Sequence, residues 1–263
     1  MITGGAGFLG QKHAEAVAEF KAIAVILDLE KKKPQAAAKR LTQQYGTEAH
    51  GMVVDITSEA QVRRSCQTLL KKFGKIDVLI NNATNNPRVE TSKGARNFSR
   101  LENFDLKLWN QDLAVGLTGA FLCSKHFGAA IAQNPRGGVL INVSSDLGLI
   151  SPDQRLYARE GFPPGKQNAK PVTYSVVKTG LIGLTRYLAT YWADRNVRCN
   201  ALCPGGVFNN QDKEFLQKLH KLIPLGRMAR PDEYKGVIVF LCSDAASYMN
   251  GAIISIDGGR VVW

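Results

Sequence analysis

Tyr174 and Lys178, in the run Pro171-Val-Thr-Tyr-Ser-Val-Val-Lys178, place a phenol and an ammonium one turn apart on the same face wherever that segment is helical. A free phenol, with a pKa of about 10, is a poor proton donor or base near neutrality; an adjacent ammonium favours the phenolate and draws it toward working range. The pair is acid–base equipment in which the lysine tunes and the tyrosine transfers. Leu181, Leu184, Leu188 and Trp192 recur at helical spacing and predict the helix this geometry needs. Tyr and Lys at this spacing also describe an ordinary amphipathic surface, so the reading depends on what accompanies the pair.

At the other end of the chain Thr3-Gly4-Gly5-Ala-Gly7-Phe8-Leu9-Gly10 runs into the helical pattern Ala14, Val17, Ala18, Phe20. Glycines at these spacings let the backbone turn tightly and approach a pyrophosphate, whose charge sits on the unpaired N–H groups of the helix start. Ile23-Ala-Val-Ile-Leu-Asp28, followed by Leu29, is a β-branched run ending in an acid, about 20 residues beyond the turn, where a carboxylate accepts from both adenosine ribose hydroxyls. Such a carboxylate repels a 2′-phosphate, which predicts NAD rather than NADP; Lys31, Lys32 and Lys33 pull the other way, as a lysine run can attract that phosphate.

With these residues assembled, the chain resembles the short-chain dehydrogenase/reductase family over essentially its whole length. Val53-Val-Asp55-Ile56 resembles the strand end whose acid reaches the adenine, and Asn81-Asn82-Ala83 the family's fourth-strand signature. Asn142-Val-Ser-Ser145 follows, then Asn200-Ala-Leu-Cys-Pro204-Gly205-Gly206-Val207 along the nicotinamide side, and Ile256-Asp-Gly-Gly259 at the last strand. The resemblance implies that Ser145 holds the substrate oxygen, with Ser144 as the fallback, that Tyr174 exchanges its proton, and that Lys178 binds the nicotinamide ribose while lowering the Tyr174 pKa. The region from Ser144-Ser-Asp-Leu-Gly148 to Thr173-Tyr-Ser is also similar to short-chain oxidoreductases associated with bacterial surface-sugar and flagellin-glycan synthesis.

The chain departs from the family pattern in four places. Ser145 and Tyr174 stand much further apart than the family's roughly dozen residues, so an insertion falls at about 152–171. Tyr157 lies at the customary distance, but Gly161 follows where an ammonium is needed; Tyr157 is set aside, and its polar, turn-rich neighbourhood reads as a loop beside the site. Gly116 stands where the family carries an Asn that supports a relay water, and Val207-Phe-Asn209 lacks the Thr that holds the carboxamide, leaving Asn209 or Asn210 to serve. Finally, only Met1 and Ile2 precede Thr3, whereas a strand of about 5 to 6 residues should lead into the turn. This predicts an interrupted sheet, poor stability and weak NAD affinity unless upstream residues supply the strand.

The elements that must position these residues follow from hydrophobic patterning. Short β-branched runs at 23–28, 50–55, 76–81, 138–143, 197–202 and 252–256 alternate with helical stretches, which predicts an α/β, doubly wound parallel sheet of Rossmann type with a truncated or very short first strand. The 263 residues and 44% hydrophobic content suit one domain, 1–263. No uninterrupted apolar run reaches the ~18 residues of a membrane span and no charged, apolar leader precedes the turn, so a cytoplasmic protein without membrane contact is expected. Cys66, Cys123, Cys199, Cys203 and Cys242 form no metal-ligand pattern and read as free core thiols.

A net charge of +12 without basic stretches interleaved with stacking aromatics points away from nucleic acid and toward an anionic small molecule. Arg88, Lys93, Arg96 and Arg100 after Asn82, with Arg155, Arg159 and Lys166 in the insertion, suggest a phosphorylated or nucleotide-linked substrate. The loop Thr84-Asn-Asn-Pro-Arg88 and the lack of a greasy entrance favour a sugar or polyol. The leading expectation is an NAD-dependent dehydrogenase/reductase interconverting a secondary alcohol and a ketone. Two alternatives stand beside it: a sugar-nucleotide epimerase or dehydratase with tightly bound NAD, from the Thr3-Gly-x-x-Gly7-x-x-Gly10 spacing, and a nucleotide-binding scaffold without turnover. A homodimer or homotetramer is expected through the helices at 104–130 and 172–194, with Gly119, Gly128, Gly180 and Gly183 permitting close packing.

Overall fold

The computed structural model describes residues 1–86 and 98–263. Its seven strands are parallel and lie in the order β3-β2-β1-β4-β5-β6-β7. They are β1 (Ile2–Thr3), β2 (Ala24–Asp28), β3 (Ala49–Val53), β4 (Val78–Asn81), β5 (Gly138–Val143), β6 (Val197–Pro204) and β7 (Ile253–Ile256). Strand order reverses between β1 and β4, which opens a crevice at the carboxyl ends of the strands.

Near-continuous apolar strands are buried on both faces, as a parallel sheet requires. Along β2, Ala24 and Ile26 face one core and Val25 and Leu27 the other. The first core is closed by α1 (Phe8–Glu19), α2 (Lys33–Tyr45) and, from the far end of the chain, the helix Lys235–Cys242. The second is closed by α3 (Glu59–Phe73), by the run α4 (Leu106–Leu113), α5 (Gly119–Cys123) and α6 (Ala129–Ile131), and by α7 (Val172–Tyr191). Next come α8 (Lys213–His220) and that last helix, α9 (Lys235–Cys242).

Helices α4 to α6 join through π-helical turns at Ala114–Thr118 and Ser124–Gly128 into one helix, Leu106–Ile131. That helix has the length and mean hydropathy, 1.2, of a membrane span, with half of its apolar window buried in the fold. It contains no uninterrupted apolar run of span length, because Gly, Ser, Thr and charged residues interleave with its apolar ones.

The sheet is not interrupted at its centre. Ile2 pairs with Ile26 on one side and Ile80 on the other, and Thr3 with Leu27. The Met1 amino group donates to the Val78 carbonyl at 2.9 Å, and the Met1 carbonyl accepts from Ile80 N at 2.9 Å. Thr3 Oγ1 accepts from Asn82 N and Ala83 N at 3.0 and 3.1 Å. Met1, Ile2 and Thr3 thus bridge β2 and β4 through Ile26, Leu27, Val78 and Ile80.

Three of the glycines expected to permit packing between subunits are used within the chain. A Cβ at Gly119 would come within 2.6 Å of Ile56, at Gly128 within 2.6 Å of Trp192, and at Gly180 within 3.0 Å of Leu117. Only Gly183 of the four has open space around it. The segment 152–171 is not an inert surface loop either. Its 3₁₀ turn Gln154–Tyr157 buries Leu156 and Tyr157 against Leu219, Ile223 and Met228, around α8.

Candidate active site

A cleft of about 710 Å³ follows the crevice from Asp28 and Leu29 to Tyr174 and Lys178. At its first end the chain leaves β1 through Gly4, held at φ +59, and a Cβ on Gly10 would stand 2.2 Å from the Gly4 carbonyl oxygen. No side chain fits the second position, so the turn stays tight and α1 starts against it. The Asp28 carboxylate, at the end of β2, accepts from Ala6 N at 3.1 Å and from Glu30 N at 3.3 Å. Gly4, Gly7, Phe8, Leu9, Leu29, Asp55, Ile56, Asn82 and Ala83 line this part of the cleft.

Three residues expected on this wall lie behind it. Thr3 is buried and spends its hydroxyl on the Asn82 and Ala83 amides. Asn81 is buried, donating to Ser124 Oγ at 3.1 Å and Asn142 Oδ1 at 2.8 Å. Gly10 backs the turn. Each serves the cleft by holding its wall, because alternation along a strand sends neighbouring side chains to opposite sides.

At the other end, α7 delivers Tyr174 in its first turn and Lys178 one turn later, while β5 delivers Ser144 and Ser145. Thr173 Oγ1 donates to the buried Asp112 Oδ2 of α4 at 2.6 Å and fixes the start of α7. The two serines separate in role: Ser144 Oγ donates to the Lys178 carbonyl at 2.7 Å, whereas Ser145 is the one whose hydroxyl draws the Tyr174 phenol down. Ser145 Oγ also donates to Asp146 Oδ1 at 2.7 Å. Lys178 Nζ is buried, donates to the Val143 carbonyl at 2.8 Å and lies 5.7 Å from the centre of the Tyr174 ring.

The electrostatics differ from the expected tuning. Burial pushes the Tyr174 phenol up to about 12, opposed by its bond to Ser145 and reinforced by Asp146. Burial and then the charge of Lys170 bring Lys178 down to about 8. Burial dominates the shift, so Tyr174 rests as the neutral phenol.

Pro204 at the end of β6 and Gly205 and Val207 after it line the cleft, as does Asn209, whose backbone N–H donates to Gln211 Oε1 at 2.7 Å. Of the two asparagines, Asn209 therefore sits on the wall and Asn210 does not. Gly116 is buried in the first π-helical turn, where a Cβ would stand 2.5 Å from Val177 Cγ1. The place of the family's Asn has been taken by close packing of α7.

Among the expected cations, Arg88, Lys93 and Arg96 lie outside the described residues. Arg100 pairs with Glu102 and donates to the Pro164 carbonyl, Arg155 pairs with Asp153, and Arg159 lies 3.7 Å from Asp212. None of these, nor Lys166, lines the cleft. Among the described residues the cations on its wall are Lys33 of α2 and Lys178 of α7, both expected from the sequence, and two that were not: Lys170, 3.9 Å above the Tyr174 ring and bonded to Asn86 Oδ1 at 2.8 Å, and Arg260, only 8% exposed. Lys170 could have been suspected from its place just before Pro171; nothing near Arg260 signals a site. Leu156, Tyr157, Phe215, Leu219 and Met228 add an apolar wall, which corrects the expectation of an entrance without grease.

The family profile described as short chain dehydrogenase matches residues 1–158, and that described as enoyl-(acyl carrier protein) reductase matches residues 164–260. The chain is 31% identical to D-threitol dehydrogenase of Mycolicibacterium smegmatis, covering 100% of this chain and 92% of that one. It is 30% identical to the 3-oxoacyl-(acyl-carrier-protein) reductase FabG of Aquifex aeolicus, covering 98% of this chain and 95% of that one. The solved gluconate 5-dehydrogenase from Burkholderia cenocepacia, in complex with NADP and tartrate, superposes with a TM-score of 0.85 at 26% identity, covering 100% and 94%. With the parallel sheet, the crevice and the glycine turn already in place, these matches along the whole chain make it a member of the short-chain dehydrogenase/reductase family, an oxidoreductase acting on CH–OH groups.

Proposed function

We propose that this chain is an NAD-dependent dehydrogenase/reductase that interconverts a secondary alcohol and a ketone on a polar small molecule carrying an anionic group. The observation that carries the reading is a single cleft with the glycine turn and Asp28 at one end and Ser145, Tyr174 and Lys178 at the other. The residues present fit a nicotinamide dinucleotide: a turn too tight for side chains suits a pyrophosphate, and a carboxylate at the end of β2 suits a ribose diol. When bound, the nicotinamide supplies the hydride acceptor or donor. Tyr174 gives or takes the hydroxyl proton, Ser145 bonds the substrate oxygen, and Lys178 places its charge beneath both.

Asp28 favours NAD, and Lys33 is engaged by Glu30 at 2.6 Å rather than left to draw in a 2′-phosphate. Lys170 and Arg260 supply positive charge to the substrate end, while Asn85 and Asn86 line it with amide groups and Leu156 and Tyr157 form the apolar side. Relatives named for threitol and gluconate support a polyol or sugar acid of modest size. The test is NAD(P)H formation across sugar alcohols, sugar acids and sugar phosphates. Net NADH from an acidic member, with NADPH slower, supports the reading; bound NAD that never accumulates as NADH would favour the epimerase or dehydratase alternative.

A further inference from the structure

The Ser145 hydroxyl has one proton, and in this structure that proton is already spent. Ser145 Oγ donates to Asp146 Oδ1 at 2.7 Å, while Leu147 N donates to Ser145 Oγ at 3.2 Å and to Asp146 Oδ1 at 2.8 Å. The arrangement leaves Ser145 nothing to donate to a substrate oxygen as long as Asp146 is a carboxylate. A carboxyl group in its acid form reverses the bond: it donates to Ser145 Oγ, and the serine proton turns into the cleft. Asp146 lines the cleft yet is only 8% exposed, which penalises its charged form.

We propose that Asp146 is a positioning residue that works in its acid form, holding Ser145 so that the serine hydroxyl points its proton at the substrate oxygen. The proposal rests on the reading of Ser145 and Tyr174 given above. No proton is consumed: Asp146 keeps its own while the substrate proton passes to or from Tyr174. The groups facing it set when it titrates. Burial raises it, the Ser145 and Leu147 bonds and Arg260 lower it, and Asp257 raises it. Tyr174 from α7, Cys203 at the end of β6 and Tyr234 before α9 also lie within its electrostatic reach. Activity should therefore be present while Asp146 is protonated and fall as pH rises through its titration.

Two variants of the full chain separate this from a merely structural role. In Asp146→Ala the acceptor is gone, Ser145 is free at every pH, and the alkaline limb of kcat/KM set by Asp146 disappears, giving roughly tenfold more turnover than wild type above it. In Asp146→Asn the Leu147 amide keeps the amide oxygen toward Ser145, so the serine proton stays withdrawn and turnover is low and independent of pH across that limb. Loss of activity in both variants with the wild-type limb retained would overturn the proposal. Carbon-13 titration of the Asp146 carboxyl, assigned by its disappearance in Asp146→Asn, needs no turnover: titration in the ordinary carboxylate range overturns the proposal even where no substrate is found. Full activity of Tyr174→Phe would instead remove the underlying reading and leave the titration result standing.

Discussion

Burial is the largest influence on both Tyr174 and Lys178, so the phenol is pushed up to about 12 and the ammonium down to about 8. The neutral phenol is the form that hands a proton to a reduced substrate. Tyr174→Phe should lower turnover by about 10³ with cofactor binding retained, read by steady-state kinetics beside calorimetric titration; equal activity would end the assignment. Lys178 is charged below about 8 and neutral above it, so the contribution of its charge to cofactor binding should be present at neutral pH and fade as pH rises past that value. A dissociation constant for NAD that does not rise across that range in wild type, yet is weakened by Lys178→Ala, would mean the lysine acts by shape alone. At the nucleotide end, Asp28→Asn removes the carboxylate charge but keeps a hydrogen-bonding group, and the preference for NAD over NADP should shrink by about tenfold. An unchanged ratio would mean that Asp28, which already accepts from Ala6 and Glu30, is a structural cap for the glycine turn.

The helix run from α4 to α6 bends through π-helical turns where Gly116 and Gly119 let α7 and Ile56 come close. Restoring the family's side chain at Gly116 is therefore more than a test of a proton relay. Gly116→Asn must displace Val177, which with Ala120 and Leu181 forms a small core between α5 and α7, and should cost about 1 to 3 kcal/mol of stability. A thermal melt decides: an unshifted midpoint would mean that the segment can open to admit the amide. The insertion carries a comparable consequence. Tyr157 packs on Phe215, with ring centres 5.6 Å apart, and shares a buried cluster with Leu156, Leu219, Ile223 and Met228. Tyr157→Ala should loosen α8 and the substrate end of the cleft, raising KM several-fold while leaving NAD affinity in place; parallel loss of both would show that the cluster supports the whole crevice.

At the scale of the molecule, Arg100 and Arg155 are paired with neighbouring carboxylates away from the cleft, while Lys170 and Arg260 line it. Exposed Phe121, Val176, Tyr187 and Tyr191 lie on the outer side of α5 and α7, and stacked Tyr187 and Tyr191 offer a flat aromatic face. The native mass should exceed the 28.7 kDa of one chain, and Tyr187→Glu should reduce it; sedimentation at a single-chain mass for the unaltered protein would contradict this. Patterning alone determined the parallel sheet, the glycine turn, the acid after β2 and the helix carrying Tyr174 and Lys178, because these follow from local periodicity and from backbone conformations few residues tolerate. Local spacing could not decide which of Ser144 and Ser145 faces Tyr174, that Asn81 and Thr3 turn away from the cleft, or that two residues of β1 suffice to join the halves of the sheet. Nor could it show Asp146, Lys170 and Arg260 lining one cleft from the turn after β5, the insertion and the segment after β7. Those outcomes depend on side chains far apart in sequence competing for the same hydrogen bonds and the same dry volume, and only the folded chain sets who wins.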